Sequence, residues 1–374
     1  MRDWRALLLG VFLLGACQAP AASPPSGGAV PAAPPPAAQA PTSSAGTAPT
    51  SGAAAPASLE TVRVGTVNSA SDAVFYWEQE HGYLREQGLD LEATPFNGAQ
   101  LMIAPLGADQ LDVGGGGPGP GLFNAILRGV NVRIVADRSR AAPGTRFNCL
   151  SVRKPLLDSG QVRSFADLRG RVFAENVPGV LTTSLVEREM QKAGYSLQDV
   201  TSVTMGFPDM VTGMANDAVD FGVLTEPYIT LSEQRGVAQC WKPTSEMGPN
   251  FQIAVILYGP TFAEQRADVA RRFMLAHLRA LRDYHRAFFG DGENRPEFVR
   301  LMGRVSGVTD LDLLERMEPT WADPNGSVNV DSLADVQRWY IGRGEQTGEV
   351  DFSRVVDMSF VDYAVERLGR APGT

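Results

Sequence analysis

The strongest constraint in this sequence is a repeated alternation of short, β-branched apolar runs with segments of helical spacing. The pattern begins near Leu59, where the run 62–67 precedes a helical segment, 74–87, that stops at Gly88. It restarts after Phe147 and continues to about residue 257. Repeated βα units predict a mainly parallel sheet with helices on both faces. We therefore predict an α/β protein of two lobes, each a mainly parallel sheet flanked by helices.

The first residues predict export. Arg2 and Arg5 precede the apolar run 6–14, which is shorter than the roughly 20 residues that a membrane-spanning helix needs. The run ends in Leu14-Gly15-Ala16-Cys17, the pattern of a bacterial lipobox, where small residues precede a cysteine that receives a lipid. Residues 1–17 are therefore predicted to be a lipoprotein signal peptide with Cys17 as its lipidation site. The protein would be lipid-anchored to the outer face of the cytoplasmic membrane or lie in the periplasm.

The segment that follows, residues 18–58, is almost wholly Ala, Pro, Ser, Gly and Thr and has no charged or aromatic residue. Such a composition cannot bury enough apolar surface to offset its ordering entropy, which predicts a disordered tether. A flexible chain of roughly 40 residues spans on the order of 35 Å. The rest is predicted to comprise the first part of lobe 1 (59–147), lobe 2 (148–252), and a return to lobe 1 with C-terminal helices (253–374).

Several motifs occur along this α/β region in a fixed order. FYWEQEHGYLREQGLDLEATPFNGAQ (75–100) resembles a helix ending in GYF-x-x-x-GL-x-V, and DQLDVG (109–114) resembles a G-x-x-D-x-G element. ADLRGRV (166–172) and AGYSLQDV (193–200) follow, and Asp220 precedes Glu226-Pro227. In this order the motifs resemble those of type II periplasmic binding proteins of the SsuA/NMT1-like group, which serve importers of nitrate, sulfonates, taurine and thiamine precursors.

The resemblance implies a two-lobed Venus-flytrap fold and the role of a solute-binding component of an ABC importer. It also implies a small-molecule ligand and an ABC permease and ATPase as partners. The protein is expected to be a monomer that contacts the membrane through its N-terminal lipid. Two other classes stay open. One is a ligand-sensing lipoprotein, and the other is an enzyme like the synthases of the thiamine pyrimidine.

Candidate ligand contacts follow from the position of the loops, because ligands of open α/β sheets bind outside the carboxyl ends of the strands. Loops after predicted strands in both lobes would form a cleft, where glycines admit close backbone approach and helix starts offer free N–H groups. Each of these residues also has a purely structural interpretation. The glycines can form a turn, the threonines can cap a helix, and Glu226 can stabilise the fold without contacting a ligand. The predicted ligand-binding residues are Asn68, Ser69, Asp72, Phe75, Tyr76, Asn97, Gly115, Gly116, Asn176, Gly179, Thr182, Thr183, Glu226 and Tyr228.

Charge and aromatic content bear on the ligand class. Arg85 is the one basic residue between positions 64 and 127, and none lies between 193 and 234. The same loops hold Asp72, Asp209 and Glu226, so a bare anion would be opposed electrostatically. Aromatic rings near these loops favour a flat solute that is neutral or cationic. These rings belong to Phe75, Tyr76, Phe96, Phe207 and Tyr228. We expect a heterocyclic or aromatic nutrient, with a sulfonate- or nitrate-type anion as the alternative.

Other function classes are disfavoured by composition. The formal charge is -9 without any block of Lys and Arg, which excludes nucleic acid as an expected partner. The three histidines, His81, His277 and His285, fall in predicted helices away from the cleft loops. The chain has no G-x-S-x-G, P-loop or HExxH motif and no His/Cys metal spacing, so neither catalysis, a cofactor nor a metal is expected.

Two cysteines remain besides Cys17. Cys149 and Cys240 would lie in an oxidising compartment, where disulfides persist. The sequence leaves open whether they are joined, because it does not give the distance between their Cα atoms.

Overall fold

The computed structural model describes residues 58–67 and 69–372. The predicted signal peptide with Cys17, the tether up to residue 57, and Asn68 lie outside the described residues. The strands are β1 (Glu60–Thr66), β2 (Leu89–Pro95), β3 (Val113–Gly116), β4 (Arg133–Ala141), β5 (Asn148–Arg153), β6 (Val172–Glu175), β7 (Thr201–Thr204), β8 (Phe221–Thr225), β9 (Ala238–Pro243) and β10 (Phe251–Tyr258).

The helices fill the connections between these strands and most of the chain after β10. The first nine are α1 (Ala73–Glu80), α2 (Tyr83–Glu86), α3 (Ile103–Gly107), α4 (Pro120–Leu127), α5 (Lys154–Asp158), α6 (Leu181–Lys192), α7 (Phe207–Ala215), α8 (Tyr228–Gln234) and α9 (Thr244–Met247). The C-terminal ones are α10 (Pro260–Glu264), α11 (Ala267–Phe289), α12 (Arg295–Ser306), α13 (Leu311–Arg316), α14 (Val330–Gly342), α15 (Phe352–Val355) and α16 (Ser359–Leu368). Short 3-10 turns span Ala70–Asp72, Ala99–Met102, Phe165–Leu168 and Leu197–Asp199.

The strands form two five-stranded sheets of matching topology. The first, in lobe 1, has the order β2-β1-β3-β10-β4, and the second, in lobe 2, has the order β7-β6-β8-β5-β9. Four strands of each sheet run in one direction, and the fifth, β10 or β5, is antiparallel to both neighbours. The predicted α/β fold of two mainly parallel sheets is therefore confirmed.

The chain passes between the two sheets twice. It leaves β4 at Ala141 and enters β5 at Asn148, and it leaves β9 at Pro243 and enters β10 at Phe251. In each sheet the antiparallel strand is the one formed directly after such a crossing. Two short crossings side by side are the geometry that hinge closure of domains uses.

Each sheet is apolar on both faces, as helices on both sides require. Along β10, Ile256 and Tyr258 belong to the cluster that α1 and α11 cover, whereas Val255 and Leu257 belong to the cluster on the other face. The long helix α11 packs against α1 and α16, so the C-terminal helices enlarge the core of lobe 1. Lobe 2 has two smaller clusters, one on each face of its sheet.

The helix predicted over 74–87 is divided in two by its own residues. α1 ends before His81, and Gly82 adopts a positive φ of 75° before α2 begins. Pro105 lies in the first turn of the short α3, where its missing N–H costs no helical hydrogen bond. Within residues 58–67 and 69–372, no helix has the length and apolar character needed to cross a membrane.

Candidate ligand cleft

A cavity of about 360 Å³ lies between the carboxyl ends of the two sheets, and both lobes form its walls. The strand ends and the loops that follow them supply the polar groups of the wall, as the sheet topology requires. Lobe 1 contributes Ser69, Ser71, Phe96, Asn97, Gly116 and Arg138, among others. Lobe 2 contributes Asn148, Asn176, Thr182, Phe207, Asp209 and Tyr228, among others.

Six of the predicted ligand-binding residues lie on this wall, and seven lie elsewhere in the described part of the chain. The six are Ser69, Asn97, Gly116, Asn176, Thr182 and Tyr228. The seven are Asp72, Phe75, Tyr76, Gly115, Gly179, Thr183 and Glu226. The seven share a cause: their side chains or backbones are engaged by neighbouring groups of the protein.

Asp72 holds the shape of the loop after β1. Its side chain is fully buried, and its Oδ2 accepts the N–H groups of Val67 at 3.1 Å and of Ser69 at 2.9 Å. Its Oδ1 pairs with Nη2 of Arg138, which also donates to the hydroxyl of Ser71. Asp72 therefore places Ser69 and Ser71 on the wall without reaching the cavity itself.

The aromatic residues of α1 belong to the core. Phe75 is 1% exposed and packs on the rings of Phe273 and His277. Tyr76 is half-buried against the same cluster, and its pKa is raised because burial disfavours the phenolate. Gly115 lies within β3, where an added Cβ would overlap Nη1 of Arg138. The close approach at this glycine is thus to a protein side chain.

In lobe 2, the predicted contacts Gly179 and Thr183 are hydrogen-bonded to a carboxylate of the protein. Oε2 of Glu175 accepts from the N–H of Gly179 at 3.1 Å and from the hydroxyl of Thr183 at 2.7 Å, which fixes the turn before α6. Burial raises the pKa of Glu175 above its ordinary value.

Glu226 has a comparable structural role next to the first chain crossing, where its N–H donates to the carbonyl of Phe147. It is fully buried and accepts the N–H and the hydroxyl of Thr230 at 3.0 and 2.8 Å. It also accepts the N–H of Glu318, from the C-terminal part of the chain, at 3.3 Å. Burial raises the pKa of Glu226 to about 7.

Arg138 is the cavity residue that the sequence did not reveal. The expectation of a cleft without a cation is wrong, because this arginine of β4 lines the wall with a side chain only 4% exposed. It lies 66 residues from its partner Asp72, so no local pattern connects the two. The available signal was a charged residue inside an otherwise buried strand, next to the apolar run 134–136.

His277 and His285 lie in α11 as predicted, and only His81 differs from its predicted placement. His81 lies in the turn after α1, and the buried His277 lines a small cavity of about 10 Å³ directly behind Arg138. Burial, with the nearby guanidinium of Arg138, lowers the pKa of His277 to about 3, so its imidazole is neutral. Within the described residues no histidine lines the larger cavity, and no group of His, Cys, Asp and Glu is arranged to hold a metal ion.

Three of the five aromatic residues expected near the ligand do line the cavity. The rings of Phe207 and Tyr228 stack with centroids 5.9 Å apart on the lobe 2 side, and Phe96 faces the cavity from lobe 1. Hydroxyl and amide groups lie between them, including those of Asn97 and Asn148. The cavity therefore combines flat apolar surfaces with uncharged hydrogen-bonding groups, as small-molecule sites commonly do.

Cys149 and Cys240, which the sequence left open, are joined by a disulfide with Cα atoms 5.6 Å apart. The bond links β5 to the edge strand β9 of lobe 2, and neither cysteine lines the cavity.

Solved structures with the same fold support this reading of the architecture. The alkanesulfonate-binding protein SsuA of Xanthomonas axonopodis pv. citri is 18% identical, with a TM-score of 0.64 over 82% of this chain and 99% of its own. The nitrate-binding protein NrtA of Synechocystis PCC 6803 is 15% identical, with a TM-score of 0.69 over 83% and 89%. The desulfurization enzyme DSZB is 16% identical, with a TM-score of 0.58 over 83% and 99%. The fold is that of type II periplasmic binding proteins.

Sequence relatives point to the same group. Proteins of Brucella abortus and Brucella suis, provisionally named as binding proteins, are 27% identical over 216 residues, which is 56% of this chain. The match covers 61% of each relative's own length. The family model described as NMT1/THI5 like matches residues 42–286, well over half of the sequence. The chain belongs to the NMT1/THI5-like family.

Proposed function

We propose that this protein is the extracytoplasmic solute-binding component of an ABC importer, which captures a small nutrient when its lobes close. The observation that carries the proposal is the cavity whose walls come from both lobes, beside two short chain crossings. A solute held there contacts both lobes at once, so its binding energy favours the closed arrangement. Membership in the NMT1/THI5-like family and the shared fold support the same role.

The ligand class that the cavity favours is a flat heterocyclic or aromatic solute, neutral or cationic. Phe207 and Tyr228 offer a stacked pair of rings, with Phe96 across the cavity. The charge of Arg138 is balanced by Asp72, and the exposed Asp209 adds a negative charge at the rim. A sulfonate- or nitrate-type anion, as named for SsuA and NrtA, is the alternative.

Delivery to a permease would use the amino-terminal region. Lipidation at Cys17 and a disordered tether over 18–58 would hold a monomeric binding domain near the membrane while letting it reach a neighbouring permease–ATPase complex. Lobe 2 would extend from residue 148 to residue 252. The chain crossings beside residues 147 and 252 would act as the hinge between the lobes.

Catalysis is the second candidate, because the fold is shared with the desulfurization enzyme DSZB. Among the described residues that line the cavity there is no cysteine and no histidine. The described wall therefore lacks a thiol nucleophile and an imidazole general base. We accordingly propose capture and release of the solute without chemical change.

The experiment that tests the proposal uses the full chain purified in detergent. Mass spectrometry of co-purified small molecules, followed by calorimetric titration with pyrimidines, flavins and alkanesulfonates, should show tight binding of an uncharged or cationic aromatic compound that is recovered unchanged. Tight binding of alkanesulfonates alone would refute the ligand class, and conversion of the bound compound would refute the non-enzymatic role.

A matched pair of variants links binding to the cavity. Phe207→Ala removes one ring of the lobe 2 pair and should weaken binding of the aromatic ligand at least tenfold. Phe165→Ala removes a ring that packs on Trp241 away from the cavity and should leave the affinity unchanged. Equal effects of the two variants would show that the ligand does not stack in this cavity.

A further inference from the structure

An ion pair whose two partners are both buried lies at the lobe 1 wall of the cavity. Asp72 has a side-chain exposure of 0%, and Arg138 has 4%. Arg138 is the one basic residue among the described residues that line the cavity. A charge that faces a ligand site would normally attract the opposite charge, but here the opposite charge is supplied by the protein.

The chain builds this pair across the sheet. Arg138 extends from β4, over β10 and β3, toward the loop after β1. Gly115 of β3 leaves the space that the guanidinium occupies, and the ring of Phe75 lies 5.3 Å below it. Nη2 is engaged by Asp72 and Ser71, while Nη1 packs at Gly115 without a hydrogen-bond partner among the described residues. The guanidinium is therefore held in one place beside its counter-ion.

The other titratable groups packed near the pair are each ion-paired or shifted toward the neutral form. On α11, His277 is neutral because burial lowers its pKa to about 3, and on α1 burial raises the pKa of Glu78 well above its ordinary value. On β4, the buried Asp137 is paired with Arg140 at 3.3 Å. The wall around Arg138 is thus close to electrically neutral.

We propose that the Asp72–Arg138 pair is a specificity-determining element that excludes bare anions from the cavity. An anionic ligand would have to compete with Asp72 for the guanidinium and would bring a second negative charge next to it. A solute with uncharged polar groups faces no such competition. The inference rests on the proposed solute-binding function and deepens it, since it names the charge class that the site rejects and the residues responsible.

The test uses ethanesulfonate as an anionic probe and calorimetry on the full chain in detergent. Wild type should bind ethanesulfonate no tighter than about 1 mM. Asp72→Asn leaves the charge of Arg138 unbalanced and should bind it at least tenfold more tightly. The double variant Asp72→Asn with Arg138→Met restores neutrality and should return to the wild-type value. Micromolar binding by wild type, or an unchanged affinity in Asp72→Asn, would overturn the proposal.

A second variant protects the test against misfolding. Asp72→Ser keeps a hydroxyl that can accept the N–H of Ser69, so the loop retains a local partner while the charge is removed. It should show the same gain for ethanesulfonate, and absence of that gain in a folded Asp72→Ser protein counts against the proposal. The outcome is independent of the aromatic ligands: if those fail to bind while the anion gain appears, the proposed ligand class falls and the role of the pair stands.

Discussion

The two lobes share a strand order but are stabilised in different ways. Each has four aligned strands and one antiparallel strand that follows a crossing. Lobe 1 then gains the helices after β10, which bring large buried rings into its core, including those of Phe273, Tyr284 and Phe298. Lobe 2 has smaller clusters, and its edge strand β9 is tied to β5 by a disulfide. The same strand order is therefore stabilised by a larger core in lobe 1 and by a covalent link in lobe 2.

The polar side chains also differ between the two lobes. In lobe 1 the buried side chain of Gln252 donates to Asp137 and to the carbonyls of Ser139 and Ala254, and accepts from the N–H of Asn329. This network ties both strands at the crossing to the C-terminal segment. Lobe 2 has β7 as an edge strand, three of whose four residues are exposed. A small domain with little core is where a disulfide contributes most.

The largest effect should come from the core of lobe 1. Trp77 is fully buried, stacks on Phe298 with centroids 3.6 Å apart, and donates to Asp283 at 3.0 Å. Trp77→Ala should lower the free energy of unfolding by about 4 kcal/mol, because it leaves a large cavity and removes one of the donors to Asp283. Trp241→Ala, at a half-buried site of lobe 2, should cost about 1 kcal/mol. Urea denaturation measures both, and equal losses would contradict the contrast between the lobes.

The disulfide should matter next, and only to lobe 2. It joins residues 91 positions apart, and its removal in Cys149→Ala with Cys240→Ala should cost about 3 kcal/mol, chiefly through the freedom gained by the unfolded chain. Hydrogen exchange should show faster opening of β5, β8 and β9 while β1 and β10 keep their protection. If the strands of lobe 1 lost protection to the same degree, the lobes would unfold as one unit.

The sequence predicted the fold well because most strands are β-branched runs with helices between them. It failed at β3, because Gly115 and Gly116, which the sequence places in a loop after a strand, belong to the strand itself. Glycine has no preference for strands, and these residues are extended because the neighbours leave no room for side chains: an added Cβ at Gly114 would lie 2.9 Å from Leu106. Packing between distant segments, which one sequence does not display, decides this strand.

The candidate site was predicted less completely for a related reason. Local rules identified loops after strands, and Ser69, Asn97 and Thr182 lie on the cavity wall accordingly. The same rules gave Asp72 and Glu226 as ligand contacts, since a carboxylate in a loop looks available until its partners are known. Besides local donors, these carboxylates bind Arg138 and Glu318, which lie 66 and 92 residues away.

The pH dependence of stability should separate a buried carboxyl of lobe 2, Glu226, from one of lobe 1, Asp137. Glu226 has a pKa of about 7 in the folded state against an ordinary 4.5, so the folded protein binds the extra proton between these values. Its contribution is complete below pH 4.5 and is lost as the pH rises through 7, by about 3 kcal/mol in all. The pKa of Asp137 in lobe 1 is about 6, so the loss of stability that its ionisation causes ends at a lower pH.

Glu226→Gln should flatten the fall up to about pH 7, including the interval from 6 to 7 that Asp137 does not affect, whereas Asp137→Asn should flatten it only below pH 6. Urea midpoints measured across pH 4 to 8 give both slopes. A Glu226→Gln profile that falls as steeply as wild type between pH 6 and 7 would show that Glu226 does not cause the slope, and the assignment of this pH window to Glu226 would then be wrong.

The smallest effects should come from surface ion pairs, in which the lobes should not differ. Arg304 and Glu80 of lobe 1 lie 2.6 Å apart at side-chain exposures of 57% and 45%, and Lys192 and Glu189 of lobe 2 also lie 2.6 Å apart. Double-mutant cycles to alanine should give coupling energies of about 0.5 kcal/mol or less for both, because water and side-chain entropy offset the attraction. Added salt should reduce both further. A coupling above about 1 kcal/mol in lobe 2 alone would mean that surface charge, in addition to the disulfide, compensates for its smaller core.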